Sequence, residues 1–290
     1  MKLSFSTNAF VRYSVSQAVE KIADIGYEGV ELLADIPHLY VHSVTNRDMD
    51  RLREALDRSG IEVANINANT AKGYYGRNFW DPLFEPSIAN PNPSLRKWRI
   101  DYTKKCIDLA RAIGSPAVSI TPGRMIPGTT PEQSMDFLRE SLRELIEHAA
   151  ERGVRIGMEY EPGLLIEYFM ELAALISEIN SPFFGVNLDL GHSHILREDP
   201  ETVLRTFGDK IFHLHLEDIR ALKHYHLIPG KGDMDFEMLF ELLDRHAYTG
   251  FVTVELYTYP YQADEAARKS FEYLTQLPYW TARTQKNAYY

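Results

Sequence analysis

Short β-branched or aromatic runs alternate with longer amphipathic stretches eight times between residues 3 and 277. Strand-like runs fall at 3–10, 29–33, 61–67, 117–121, 154–160, 183–188, 211–216 and 251–256, and each is followed by a helix-patterned segment. Such alternation demands crossover connections and a parallel sheet. Eight units ending on a helix favour a closed (β/α)8 TIM barrel, an α/β fold, over an open doubly wound sheet. No Gly-x-Gly-x-x-Gly follows the first run, which weighs against a dinucleotide-binding fold. The 290 residues suit one barrel of roughly 250 residues with insertions. The expected organisation is a single barrel domain over 1–277 and a polar, aromatic tail over 278–290, read as mobile or packed on a partner subunit.

Gly26, Gly60, Gly114 and Gly153 each sit just past a helix pattern, where a left-handed residue stops a helix. The segment 70–93 is too long for a simple connection. It carries Gly73, Gly76, Trp80, four prolines and several aromatics, and is read as a lid over a pocket, with Trp80 a candidate substrate contact.

Strands of a parallel barrel are covered on both faces and should be almost wholly apolar. Four of them end instead in ionisable residues: Glu159 and Glu161, Asp189, His213 and His215, and Glu255. Successive side chains alternate between faces. If Glu159 faces the axis, Met158 and Tyr160 face the helices, and the same parity turns Asp189, His215 and Glu255 inward. Four neighbouring strands then aim acid or imidazole groups at the end of the barrel where active sites lie. Buried carboxylates are costly unless paired, and several together repel. One divalent cation answers both problems. Oxygen-rich coordination with one imidazole suits Mn2+, with Mg2+, Co2+ or Zn2+ compatible.

Further polar groups flank this cluster. His192 follows Asp189 by three residues, and His224, His226, Gly230 and Gly232 follow strand seven in a turn fit for a substrate oxygen, a phosphate or a second metal. Asn65, Asn67 and Asn69 alternate on strand three, and Ser119 and Thr121 on strand four, as a polyol site or a structural network would have them. Cys106 repeats with Tyr102 and Leu109 in a helical pattern and reads as core.

Gly157-Met158-Glu159 with Glu161-Pro162-Gly163, Leu188-Asp189-Leu190-Gly191-His192, His213-Leu214-His215 and Val254-Glu255-Leu256 together resemble the metal-binding segments of the xylose-isomerase-like TIM-barrel superfamily. That superfamily holds sugar isomerases and epimerases and also endonuclease IV. The resemblance spans roughly 3–277. It implies Glu159, Asp189, His215 and Glu255 as ligands of one metal, commonly Mn2+, with Glu159 and Glu255 also moving the proton. It implies His192 as a substrate contact, and Arg220 lies one residue short of an arginine found in the epimerases. Asn67, Glu161 and His226 complete the candidate substrate contacts. The His224–Gly232 segment resembles one that binds a further metal in endonuclease IV, with His224 in place of an aspartate. The additional histidines of that enzyme are not matched: His38 and His42 lie past strand two, and strand three carries asparagines.

The expected activity is isomerisation or epimerisation of a sugar, sugar phosphate or polyol ketone by proton transfer through a metal-stabilised enediolate. A dehydratase of a keto-polyol is the nearest alternative, followed by an abasic-site nuclease and a metal- or ligand-binding barrel without turnover. A net charge of −10, from 31 basic and 41 acidic residues, argues against a nucleic-acid partner. The expected partner is a small sugar-like molecule, with a homo-oligomer compatible. No run approaches the roughly 18 apolar residues of a membrane span. With one cysteine and no signal-peptide pattern at the start, the expectation is a soluble, cytoplasmic protein.

Overall fold

A computed structural model describes residues 1–69, 72–75 and 84–287. Its strands are β1 (Lys2–Ser6), β2 (Gly29–Leu33), β3 (Glu62–Asn67), β4 (Ala117–Ile120), β5 (Arg155–Met158), β6 (Phe184–Asp189), β7 (Ile211–Leu216), β8 (Asp218–Arg220), β9 (Lys223–Leu227) and β10 (Phe251–Val254). Eight of them close into a barrel in the order β1-β10-β7-β6-β5-β4-β3-β2, with parallel pairing throughout. β8 and β9 form a separate antiparallel hairpin.

The helices are α1 (Val15–Ile25), α2 (Asn46–Ser59), α3 (Lys72–Tyr75), α4 (Pro93–Ile113), α5 (Pro131–Arg152), α6 (Phe169–Ile179), α7 (Leu190–Ile195), α8 (Pro200–Phe207), α9 (Phe236–Arg245), α10 (Ala263–Gln276) and α11 (Pro278–Asn287). Side-chain oxygens of Ser14, Thr45 and Thr130 cap α1, α2 and α5. Each accepts an N–H that the helix start would leave orphaned. The four glycines expected to stop α1, α2, α4 and α5 all take positive φ.

Two chemically different layers result from the strand parity. Outward residues such as Val30, Leu32, Ile66, Ile156, Val186, Leu188, Leu214 and Val254 are buried against the helices. The axis is polar: Ser4, Asn65, Ser119, Asn187, His213 and Thr253 are all buried there. These groups bond one another. Ser4 pairs with Thr253, and Asn65 Nδ2 donates to Ser119 Oγ at 2.9 Å. Cys106 is core, and burial pushes its thiol up to about 12.

The structure departs from the sequence expectations at four places. The first strand stops at Ser6 rather than residue 10, because Ser6 Oγ accepts the Asn8 N–H and caps a tight turn over Thr7–Ala9. An additional helix, α7, follows β6 directly, since Asp189 itself caps it. The stretch after β7, read only as a glycine-rich turn with two histidines, opens with the β8–β9 hairpin. The tail forms α11, with Tyr279 stacked on Phe240 at 5.6 Å and Trp280 edge-on at 5.5 Å. Of the expected lid over 70–93, residues 70–71 and 76–83, including Trp80, lie outside the described residues. No helix among the described residues is long and apolar enough to cross a membrane.

Asp218 fastens the hairpin to the loop behind it. Its carboxylate accepts the N–H groups of Ile219 (2.9 Å), Gly230 (2.8 Å), Gly232 (2.7 Å) and Met234 (3.2 Å). Hydrogen bonds to a charged acceptor contribute about 1.5–3 kcal/mol each, less when shared. Asp218→Ala is therefore expected to lower the unfolding free energy by about 3 kcal/mol, and Asp218→Asn by less. Urea denaturation measures both; equal stability of Asp218→Ala and wild type would show that the strut is dispensable.

Candidate metal centre

The register of β6, β7 and β10 builds the site. Asp189 pairs with His215, and His215 with Thr253, so these side chains stand in one layer at the strand ends. Glu159 and Glu255 come just past their strands. Each is tied to its neighbour by a backbone bond, Glu159 N–H to Ile120 O (2.8 Å) and Glu255 N–H to Leu216 O (3.1 Å). The structure thus brings Glu159, Asp189, His215 and Glu255 together, with ligand atoms all within 4.8 Å of one another and every side chain buried. His215 Nδ1 stands 3.3 Å from Glu159 Oε1 and 3.8 Å from Glu255 Oε2.

Amide groups aim the carboxylates. Asn8 Nδ2 and Asn67 Nδ2 donate to Glu255 Oε1 at 2.8 and 3.2 Å, and Asn187 Nδ2 donates to Glu159 Oε2 at 3.2 Å. Asp189 Oδ1 accepts the His192 N–H at 2.9 Å and so caps α7, while its buried Oδ2 has no hydrogen-bond partner. Behind it, Glu217 is fully buried with neither oxygen bonded. Gly191 makes that possible, since a Cβ there would lie 1.6 Å from Glu217 Oε1.

The electrostatics follow from this crowding. Burial, reinforced by Asp189, pushes Glu217 well above the usual carboxylate range. Burial does the same to Glu255; His215 relieves part of the rise, and Glu159, Glu31 and Asp189 add to it. Burial opposes charge on Asp189 and His215 too, but there the opposite charges win. His192 and His215 hold Asp189 low, and Glu31, Glu255 and Glu159 hold His215 well above the ordinary imidazole value. A cluster with this excess of carboxylates must bind protons or a cation. Two ligands at about 2.0–2.2 Å from one ion lie at most roughly 4.4 Å apart, so the observed spacing fits a divalent ion after a small contraction. The unpartnered Asp189 oxygen and the three-carboxylate, one-imidazole donor set fit it as well.

A cavity of about 260 Å³ opens above the cluster, lined by Asn8, Asn67, Glu159, Glu161, His192, His224, His226 and Glu255, with Phe84 and Tyr257 among its apolar residues. Burial raises Glu161 to about 7, and it stands 3.9 Å from His224 Nδ1, outside the four-residue set. His192, His224 and His226 form a second group with converging nitrogens, His224 Nε2 lying 3.0 Å from His192 Nε2 and 2.6 Å from His226 Nε2. His226 Nδ1 donates to the Glu255 carbonyl at 3.0 Å, and burial keeps the ring neutral by pushing it down to about 3, so its Nε2 is an acceptor. Arg220 is set apart from these. Its side chain is 66% exposed, 3.9 Å from Asp233, and it does not line the cavity. On the hairpin, alternation turns it outward. The Gly230–Gly232 turn is likewise no anion cradle, because Asp218 already takes both glycine N–H groups.

Sequence reasoning missed Asn8, Glu31 and Glu217. Glu31 is fully buried on β2, 2.7 Å from His215 Nε2. The parity rule applied to Gly29-Val30-Glu31 marks it, just as it marks Glu255. Asn8 was hidden inside an apparent strand.

A family model described as Xylose isomerase-like TIM barrel matches residues 19–277. The chain belongs to that family. It is 24% identical over 263 residues to fructoselysine 3-epimerase from Shigella flexneri, covering 89% of this chain and 91% of that one. It is 24% identical over 286 residues to inosose dehydratase from Clostridium perfringens, covering 89% and 85%. The solved structure of the IOLI protein with a bound zinc atom superposes with a TM-score of 0.78 at 20% identity, over 97% of this chain and 99% of that one. The structural likeness shows the fold. The sequence relatives of this family include both epimerases and dehydratases.

Divalent metal is expected to bind at the four-residue cluster. At 100 times its Kd an ion adds about 2.7 kcal/mol, or roughly 5–10 °C in Tm for a chain of this size. Chelator-stripped protein should therefore gain that shift with Mn2+ or Zn2+ in a thermal melt, and Asp189→Asn should not. Equal melting of stripped and loaded wild type would rule the centre out.

Proposed function

We propose that this chain is a divalent-metal-dependent epimerase or isomerase of a small keto-sugar or polyol ketone. The observation that carries the reading is the pair of buried glutamates, Glu159 and Glu255, on the floor of one cavity and in one cluster with Asp189 and His215. The family relatives support it, with a ketose-type 3-epimerase among them. Zinc in a structural relative supports a metal in this fold without deciding the ion.

Glu159, Asp189, His215 and Glu255 would hold the ion, which when bound supplies Lewis-acid polarisation of a substrate carbonyl. The protein's own part is the proton. One glutamate takes the proton from the carbon beside the carbonyl, and the C–H electron pair moves to the carbonyl oxygen to give an enediolate. The other glutamate returns a proton to the opposite face, or to the neighbouring carbon in an isomerase. Asn8 and Asn67 hold Glu255 through Oε1, which fixes the direction from which it acts. His226, Glu161 and His192 line the wall where substrate hydroxyls would lie. Lys72 and Phe84 at the cavity suit the 70–93 segment to the role of a lid that excludes water.

A dehydratase begins with the same proton abstraction and then expels a hydroxyl. That step needs a proton donor for the leaving oxygen. Glu161, a carboxyl in the cavity wall outside the ligand set, is the group that would serve a dehydratase.

Two measurements test this reading. With a panel of ketoses and keto-polyols in D2O, an epimerase incorporates solvent deuterium into a product of otherwise unchanged mass, whereas a dehydratase loses water. Glu159→Gln and Glu255→Gln are each expected to lower kcat by about 10²–10⁴. Full activity in both variants would sink the proton-transfer assignment.

A further inference from the structure

Glu31 lies outside the four-residue ligand set, yet it is as deeply buried as His215. It stands on β2, and His215 on β7; β1 and β10 lie between them in the ring. Glu31 Oε2 is 2.7 Å from His215 Nε2 and 2.8 Å from the Asn65 amide nitrogen that donates to it. His213 Nε2 stands 3.2 Å from the same oxygen. The other nitrogen of His215, Nδ1, faces Glu159 Oε1 at 3.3 Å and Glu255 Oε2 at 3.8 Å. The two edges of one ring therefore meet two different environments.

A carboxylate oxygen at 2.7 Å requires a proton on the nitrogen it faces. With that proton on Nε2, a singly protonated ring carries its lone pair on Nδ1, inside the ligand cluster. The opposite tautomer would set a lone pair against the Glu31 carboxylate and drive an N–H into the cluster. A partner on the distal nitrogen is the usual means by which proteins orient and strengthen a histidine ligand.

We propose that Glu31 is a positioning residue of the metal centre: by accepting the Nε2 proton of His215 it fixes Nδ1 as the metal ligand. This role rests on the divalent-metal reading above. Asn65 serves it in turn, by holding the Glu31 oxygen toward the ring.

The test uses Zn2+ alone as probe. Loss of such a partner weakens metal binding by about 10–100-fold. Calorimetric titration of chelator-stripped protein should show that loss in Glu31→Ala and a smaller one in Glu31→Gln, whose amide oxygen still accepts. Far-UV circular dichroism checks that both variants fold. Independently of any variant of Glu31, long-range ¹H–¹⁵N spectra of zinc-loaded wild type, with His215 signals assigned through His215→Gln, should show the proton on Nε2 and zinc on Nδ1. Zinc on Nε2 overturns the proposal, and so does a folded Glu31→Ala that binds zinc as tightly as wild type. If Glu31→Ala does not fold, the wild-type spectrum decides. Wild type that takes up no Zn2+ sinks the metal reading itself, whereas tight binding that ignores Glu31 sinks this role alone.

Discussion

Everything at the C-terminal end of this barrel answers one constraint: Glu31, Glu159, Asp189, Glu217 and Glu255 are all buried there around His215. Two unit charges about 4 Å apart interact by roughly 4 kcal/mol at an effective dielectric of 20. Several carboxylates at such spacing cannot all stay ionised without compensation. The chain compensates in three ways. Histidines from β7, α7 and β9 supply positive charge or hydrogen bonds, Glu217 and Glu255 are pushed toward the protonated form, and a cavity stays open where a cation fits. The polar barrel axis belongs to the same solution, since Asn65 and Asn187 reach the cluster from inside the barrel.

Rigid elements hold these groups better than loops would. Each carboxylate of the two proposed proton-moving residues has a side-chain amide on one oxygen, and each amide is itself buried. Asn67 bridges layers, donating to Glu255 while its own oxygen accepts the Asn69 N–H at 3.2 Å. Such a donor leaves the second oxygen of the glutamate for the reaction. Preorganisation of this kind is what allows a site to act on charge that develops only during the reaction.

The fold and the four-residue cluster were legible because both rest on periodicity. Alternation of runs marks the barrel, and two-residue parity marks which strand residues face the axis. The same parity would have marked Glu31, whose strand also carries an acid where an apolar residue should stand. What stayed hidden depends on local hydrogen bonding that no period encodes. Asn8 looks like strand until Ser6 is seen to cap a turn. Gly230-Lys231-Gly232 looks like an anion site until Asp218, twelve residues upstream of Gly230, is found occupying its N–H groups. Arg220 sits near the right place in the sequence, but the hairpin turns it to solvent beside Asp233.

The Glu31–His215 contact carries a consequence for how the site comes into being. β2 and β7 do not touch as strands; they are brought together only when β1 pairs with both β10 and β2. The parallel run of β5, β6, β7 and β10 brings Glu159, Asp189, His215 and Glu255 together without β2, and Asn187 Nδ2 lies 3.3 Å from His215 Nδ1. Pairing of β1 with β10 then adds Glu31 from β2 at the other ring nitrogen. An open barrel would expose a cluster of like charges with an imidazole lacking its Glu31 partner, a poorer metal site. Only the closed ring places Glu31 against His215 Nε2, so the proposed metal binding and barrel closure would reinforce each other.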